Sequence, residues 1–139
     1  MFENCIKLTS INLGFLKNNI NLRMAKGMFK GCFNLLEINF PIVIETFDLL
    51  DLSKMFMGCT NLTSVNFEGS LLIDSMESMF YDCKSLTYLN IYNLYTNDAR
   101  SFDYIFEGIE KKIEIEYDWE KTGTDLQLEI NKNKKLSAE

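Results

Sequence analysis

The most regular hydrophobic pattern in the chain is a short phrase, M-F-x-x-C, that returns at nearly constant spacing. Complete copies begin at Met1, Met28, Met55 and Met79, and a degenerate fifth copy, IFEGI, begins at Ile105. The steps between these starts are 27, 27, 24 and 26 residues. A fixed period of this length is typical of repeat architectures, in which each unit buries its apolar face only against its neighbours.

A second phrase, C-x-x-L-x-x-Φ-N-Φ with Φ an apolar residue, starts at each of these cysteines. Its end alternates apolar and polar positions, as a half-buried strand requires. We therefore predict parallel strands centred on residues 10–13, 37–40, 64–67 and 88–91, one per repeat. The inward positions are expected to be Leu8, Leu35, Leu62, Leu86, Ile11, Ile38, Val65, Leu89, Leu13, Phe40, Phe67 and Ile91, with a weaker second ladder at Ala25, Leu52, Met76 and Phe102. The L-x-x-L-x-L core of the phrase and its period are both those of leucine-rich repeats.

The C-terminal part of the chain departs from the repeat. Residues 113–120 read IEIEYDWE, residues 126–130 read LQLEI, and a glycine-containing turn lies between them. Two alternating runs around such a turn predict a β-hairpin. The predicted division is repeats over residues 1–112, a hairpin cap over 113–131 and a polar tail over 132–139.

The full repeat phrase, clearest from Met76 to Ile91, resembles the BspA-like leucine-rich-repeat surface-protein family over residues 1 to about 117. The resemblance implies an α/β-type repeat fold, a right-handed solenoid with one parallel strand per coil and short convex turns or helices. It also implies adhesion or another recognition role, because many family members are bacterial or protist cell-surface proteins.

Eight polar side chains are expected to point outward from the predicted strands, onto the concave side of the sheet. We call them the polar sheet face: Ser10, Asn12, Glu37, Asn39, Ser64, Asn66, Tyr88 and Asn90. Its asparagines could form a hydrogen-bonded ladder that stabilises the stacked strands. They could equally form the floor of a binding site, since the concave side of a solenoid is its usual binding surface. Tyr88 is the only aromatic residue of the eight, so it is the predicted anchor for a partner.

The four cysteines, Cys5, Cys32, Cys59 and Cys83, recur with the period of the repeat and should stack inside it. Stacked strands lie about 4.8 Å apart, so a disulfide between repeats is sterically possible. However, buried cysteine is a common small apolar filler, and the close C-x-x-C pairs of zinc sites are missing from the sequence. We predict four buried, reduced thiols and no bound metal.

Composition narrows the range of functions. The formal charge of −6 and the pI near 4.7 disfavour nucleic acid as a partner, because phosphate binding requires a basic surface. The sequence has no histidine, which excludes Ser-His-Asp and Cys-His nucleophile systems. It also has no glycine-rich phosphate loop and no apolar run long enough to span a membrane. We therefore predict a protein that is not an enzyme and takes no cofactor.

Two functions fit these observations. The first is a surface or extracellular module that binds a protein or glycan ligand through the polar sheet face. The second is an intracellular scaffold subunit that docks through the ends of the solenoid. The chain starts at the repeat's own methionine, Met1, so we expect a partner or further repeats to cover that end. A cell-surface or extracellular location is expected if the chain belongs to a longer secreted protein, and an intracellular one is the alternative.

Overall fold

The computed structural model describes residues 1–17, 25–41 and 49–136, and within them the chain has seven β-strands and one α-helix. The strands are β1 (Glu37–Phe40), β2 (Leu50–Asp51), β3 (Ser64–Phe67), β4 (Leu71–Ser75), β5 (Tyr88–Asn90), β6 (Leu94–Tyr95) and β7 (Glu114–Glu116). The helix α1 spans Thr124–Lys134. Residues 137–139 of the predicted polar tail lie outside the described residues.

Two parallel sheets run through the repeats. One has four strands in the order β1-β3-β5-β7, and the other has three in the order β2-β4-β6. Equivalent residues of successive repeats face each other, since Asn39 pairs with Asn66 and Asn66 pairs with Asn90. The predictions of parallel strands over 37–40, 64–67 and 88–91 are therefore confirmed, the last with Asn90 as its final residue.

The predicted first strand, over residues 10–13, is wrong because the segment has no strand conformation. A hydrogen bond of 3.1 Å from the Leu36 N–H to the Thr9 carbonyl holds the segment beside β1. The Asn12 side-chain oxygen then accepts a hydrogen bond of 2.8 Å from the Gly14 N–H, which turns the chain into a short 3-10 helix over Gly14–Leu16. This local bond competes with the ladder at an edge where the segment has a neighbouring strand on one side only.

The core follows the predicted inward ladders. Leu35, Leu62 and Leu86 are all 0% exposed, whereas Leu8 and Ile11 of the first repeat are only half-buried. This difference follows because the first repeat packs against a neighbour on one side only. The weaker second ladder is also confirmed as buried: Ala25, Leu52, Met76 and Phe102.

The phenylalanines of the M-F phrases form one continuous column through the core. Neighbouring ring centroids are 5.4–6.0 Å apart, and neighbouring planes lie within 17° of parallel. The rings belong to Phe2, Phe29, Phe56, Phe80 and Phe106. Each such stack contributes about 0.5–1.5 kcal/mol beyond the burial of its surface. An inner ring can make two stacks only if the repeats on both sides also supply a phenylalanine at this position, which accounts for the recurrence of the phrase.

The M-F turns are also joined to each other by backbone hydrogen bonds. In the second repeat, the N–H groups of Gly27, Phe29 and Gly31 donate to the carbonyls of Ser53, Met55 and Met57 at 2.8–2.9 Å. The next two turns repeat this set of three bonds at 2.8–3.0 Å. The residue before each cysteine has a φ of +58° to +84°, and it is always glycine, asparagine or aspartate: Asn4, Gly31, Gly58, Asp82 and, in the degenerate copy, Gly108. These residue types adopt the left-handed conformation at the least cost.

The predicted C-terminal hairpin is wrong. Glu114–Glu116 forms β7, which pairs in parallel with β5, and Thr124–Lys134 is helical. Alternation at Leu126, Leu128 and Ile130 suggested a strand, but the buried residues of this segment are Leu126, Ile130 and Asn133. That i, i+4, i+7 spacing places the three on one buried face of a helix, whereas Leu128 is 54% exposed. The segment folds as a helix because one helical face covers the end of the last repeat.

Asn133 fixes α1 to that last repeat. Its side-chain oxygen accepts a hydrogen bond of 2.9 Å from the Ile113 N–H, and its Nδ2 donates to the Lys111 carbonyl at 3.2 Å. The residue is buried and both halves of its amide are used, so it is a specific contact rather than part of a loose polar tail. The predicted tail over 132–139 therefore begins inside the helix.

Candidate functional site

The polar sheet face is built by the register of the four-stranded sheet. Glu37, Ser64, Tyr88 and Glu114 face one another in one row. Asn39, Asn66, Asn90 and Glu116 form a parallel row two residues further along each strand. Ser10 and Asn12 are exposed in the segment beside β1. The sheet thus brings six of the eight predicted residues into two straight rows and leaves the first two at the margin.

Three asparagines of this face form a hydrogen-bonded ladder. Asn66 Nδ2 donates to Asn39 Oδ1 at 2.9 Å, and Asn90 Nδ2 donates to Asn66 Oδ1 at 2.8 Å. Asn90 Oδ1 in turn accepts a hydrogen bond of 3.0 Å from the Tyr92 N–H. Each amide has two N–H donors and two acceptor lone pairs, so the ladder leaves capacity for a ligand. Both roles considered for the asparagines are therefore compatible.

Sequence reasoning assigned Glu114 and Glu116 to a hairpin and so missed that they extend the two rows of the polar sheet face, with which we count them from here on. The sequence feature that could have revealed them is the distance from the start of each M-F phrase to the following strand. β1, β3 and β5 begin nine residues after Met28, Met55 and Met79, and β7 likewise begins nine residues after Ile105. The degenerate fifth phrase therefore carries a strand in the same phase as the others.

Tyr88 lies beside these carboxylates, directly across from Glu114 on the neighbouring strand. Partial desolvation of its hydroxyl, a hydrogen bond with the Glu116 carboxylate and the negative charges of Glu116 and Glu114 together raise the pKa of Tyr88. The side chain is half-buried. Its ring is thus held in place while part of its surface stays open, which suits an anchor residue.

A shallow depression of about 210 Å³ lies on this face. Its lining includes six of the eight predicted residues, Ser10, Glu37, Asn39, Ser64, Asn66 and Tyr88, together with Ile11 and Ile38. Asn12 and Asn90 are not part of the lining. The two rows hold eight residues, and Ser10 and Asn12 at the margin bring the surface to ten. Three of the ten are glutamates, Glu37, Glu114 and Glu116, and none is lysine or arginine, so the surface is acidic and rich in hydrogen-bonding groups. Such a surface disfavours anionic ligands.

The cysteines occupy one equivalent position in each repeat. Cys32, Cys59 and Cys83 are buried, and their thiols donate to the carbonyls of Phe2, Phe29 and Phe56, each in the preceding repeat, at 2.9–3.1 Å. Burial is the main cause that raises the pKa of all three thiols, that of Cys59 to about 12. The prediction that all four are buried is wrong for Cys5, which is half-buried because its repeat is the first.

Other kinds of site receive no support from the described residues. Within them, no group of three or more histidine, cysteine, aspartate or glutamate side chains is arranged to hold a metal ion. In the same ranges, no helix has the length and apolarity that crossing a bilayer requires.

The Met1 end of the repeats is a second exposed surface. Met1 and Ile6 are 79% and 48% exposed, and Phe2, Cys5 and Leu8 are only half-buried. Residues 5–8 line an open, mainly apolar surface there.

Comparison with known proteins identifies the repeat. A family model described as BspA type leucine rich repeat region (6 copies) matches residues 1–107, which include the four complete M-F-x-x-C phrases. No curated protein and no solved structure matches the chain.

Proposed function

Because the chain belongs to the BspA-type leucine-rich-repeat family, we propose that it is a non-catalytic binding module that recognises a protein or glycan ligand through the polar sheet face. One observation carries this proposal: six predicted residues from four successive repeats line a single depression. We further propose that the two sheets are walls of a right-handed solenoid over residues 1–112, with the polar sheet face on its concave side.

The chemistry of the face limits the ligand class. The spare amide groups of Asn39 and Asn66 can each donate and accept a hydrogen bond, and the Tyr88 ring offers an apolar contact. The carboxylates of Glu37, Glu114 and Glu116 repel phosphate, sulfate and sialic acid groups. We therefore expect neutral sugars or neutral to basic peptides. A depression of about 210 Å³ holds one or two sugar rings or side chains of a larger partner, rather than a buried small molecule.

Immobilised arrays of neutral, basic and acidic glycans and peptides test the proposal. We expect binding to neutral or basic probes, and we expect the Tyr88→Ala variant to weaken it while the thermal unfolding midpoint changes little. Tyr95→Ala is the matched control, because Tyr95 is 39% exposed but lies on β6 of the other sheet. Equal loss in the two variants, or binding that Tyr88→Ala leaves unchanged, would contradict a site on the polar sheet face.

A second candidate function is a scaffold that docks through the Met1 end, and the exposed apolar side chains of Met1 and Ile6 favour it. In that case Ile6→Arg should abolish copurification of a partner, whereas Tyr88→Ala should not. We propose a cell-surface or extracellular location for the first function and an intracellular location for the second. Labelling of intact cells with a membrane-impermeant reagent distinguishes them.

A further inference from the structure

The hydrogen-bonded ladder of M-F turns ends at the degenerate fifth phrase. The equivalent N–H groups of that turn belong to Tyr104, Phe106 and Gly108, and their counterparts in the second, third and fourth turns all donate to the next turn. The turn accepts the usual bonds from the fourth repeat, including one of 3.0 Å from the Phe80 N–H to the Ile105 carbonyl. None of its three outward N–H groups has an acceptor among the described residues. The last turn therefore presents three donors at alternate residues.

The phenylalanine column ends at the same place. The ring of Phe106 stacks on Phe80 with centroids 6.0 Å apart, and Phe106 is only half-buried, whereas Phe29, Phe56 and Phe80 are fully buried. Its outer face is therefore open on the side to which the three N–H groups point.

Helix α1 covers only part of this end. Its residues Leu126 and Ile130 are fully buried, but a groove of about 480 Å³ remains between the helix and the last turn. Asp103, Phe106 and Glu107 are among the residues of one wall, and Glu129, Lys132 and Leu136 are among those of the other. This volume is that of a small ligand pocket, so the groove admits a short segment of chain but not a whole further repeat.

The charges of the groove select its occupant. Lys132 pairs with Glu129 at 2.7 Å, so these two charges offset each other. Asp103 and Glu107 are exposed, and neither has an ion-pair partner within the part of the chain that the structure describes. The groove is therefore negative at the rim and apolar at Phe106.

We propose that this groove binds an extended peptide segment with a bulky apolar residue flanked by lysine or arginine. The carbonyls along one edge of an extended chain recur every two residues, which is the spacing of the N–H groups at Tyr104, Phe106 and Gly108. Tyr104 and Phe106 line the groove, whereas Gly108 lines a separate depression, so the segment extends past the groove to reach the third donor. The peptide continues the ladder of turns, its apolar side chain covers Phe106, and its basic residues face Asp103 and Glu107. This site is separate from the polar sheet face, so either can fail without the other.

The probe is the blocked peptide acetyl-KIFIK-amide, titrated into the isotope-labelled full chain and followed by amide NMR. We expect the amide signals of Tyr104, Phe106 and Gly108 to shift with saturation, while those of Asn39 and Asn66 do not. The double variant Asp103→Lys, Glu107→Lys should weaken binding by about tenfold or more, because both changes lie at the exposed rim.

The double variant Asp98→Lys, Glu120→Lys is the matched control, since both residues are exposed and neither lines this groove or the depression at Gly108. The acidic peptide acetyl-EIFIE-amide should not bind. Three results would overturn the proposal: shifts that fall on the polar sheet face, an affinity that the first double variant leaves unchanged, or a peptide-independent dimer that protects the same three amides.

Discussion

The buried thiols set an alkaline limit on the stability of the fold. Cys59 is 0% exposed, and burial, followed by the charge of the neighbouring Cys32, raises the pKa of Cys59 from 9.0 to about 12. In the unfolded chain the thiol returns to its ordinary value. Above pH 9 the unfolded state therefore loses a proton that the folded state keeps, and the free energy of unfolding falls as the pH rises toward 12.

The size of this loss follows from the same values. Between the two pKa values, each pH unit removes about 1.4 kcal/mol from the free energy of unfolding for one thiol. Raising the pH from about 8 to about 10 should therefore cost about 1.4 kcal/mol through Cys59 alone. Burial also raises the pKa of Cys32 and of Cys83, so their contributions have the same sign.

Urea unfolding followed by circular dichroism, at both pH values and with a reductant present, measures the loss. The Cys59→Ala variant has lost this thiol but keeps every lysine and tyrosine that titrates in the same range. We expect its stability to fall by about 1.4 kcal/mol less than that of the wild type. Thr60→Ala, at the next position, should behave like the wild type. Equal losses in the wild type and Cys59→Ala would refute the account of the buried thiol ladder.

Three further predictions concern the repeat. Phe56→Leu loses two ring stacks and should lower the free energy of unfolding by about 1–3 kcal/mol. Phe2→Leu loses one stack and should lower it by about half as much. Equal losses for the two variants in denaturant titrations would contradict the stacked column. Lys54 has a φ of +58°, so Lys54→Gly should raise the unfolding free energy by about 0.5–1 kcal/mol, and Gly27→Ala at the equivalent position, with a φ of +64°, should lower it. The same sign for both changes would exclude left-handed strain as the cause. Iodoacetamide should alkylate the half-buried Cys5 before the three buried thiols, and mass spectrometry of digested samples measures the order of labelling. Labelling of all four cysteines at the same rate would count against the burial of Cys32, Cys59 and Cys83.

Local pattern was sufficient to predict the repeated core. The position of each inward leucine relative to its M-F phrase predicted that Leu35, Leu62 and Leu86 are buried, and it predicted the strands at 37–40 and 64–67. It also predicted six of the side chains in the two rows of the polar sheet face, because strand alternation and the repeat period together determine both direction and neighbour, but it missed Glu114 and Glu116. The same phrase also carries glycine, asparagine or aspartate before each cysteine, the residue types that adopt the left-handed conformation most readily.

Only the tertiary structure decided what happens at the two ends of the repeats. Residues 10–13 carry the same strand phrase as the inner repeats, yet they form no strand. One backbone hydrogen bond, from the Leu36 N–H to the Thr9 carbonyl, holds the segment beside β1, and the Asn12 side chain then bonds the Gly14 N–H and turns the chain away from the sheet. Leu126 and Ile130 fit both a strand and a helix, and the helix forms because it brings these two side chains and Asn133 together onto the last repeat. Inner repeats make the same contacts on both sides, so their sequence determines their structure. At an end that symmetry is lost, and the conformation depends on whichever residues cover the exposed layer.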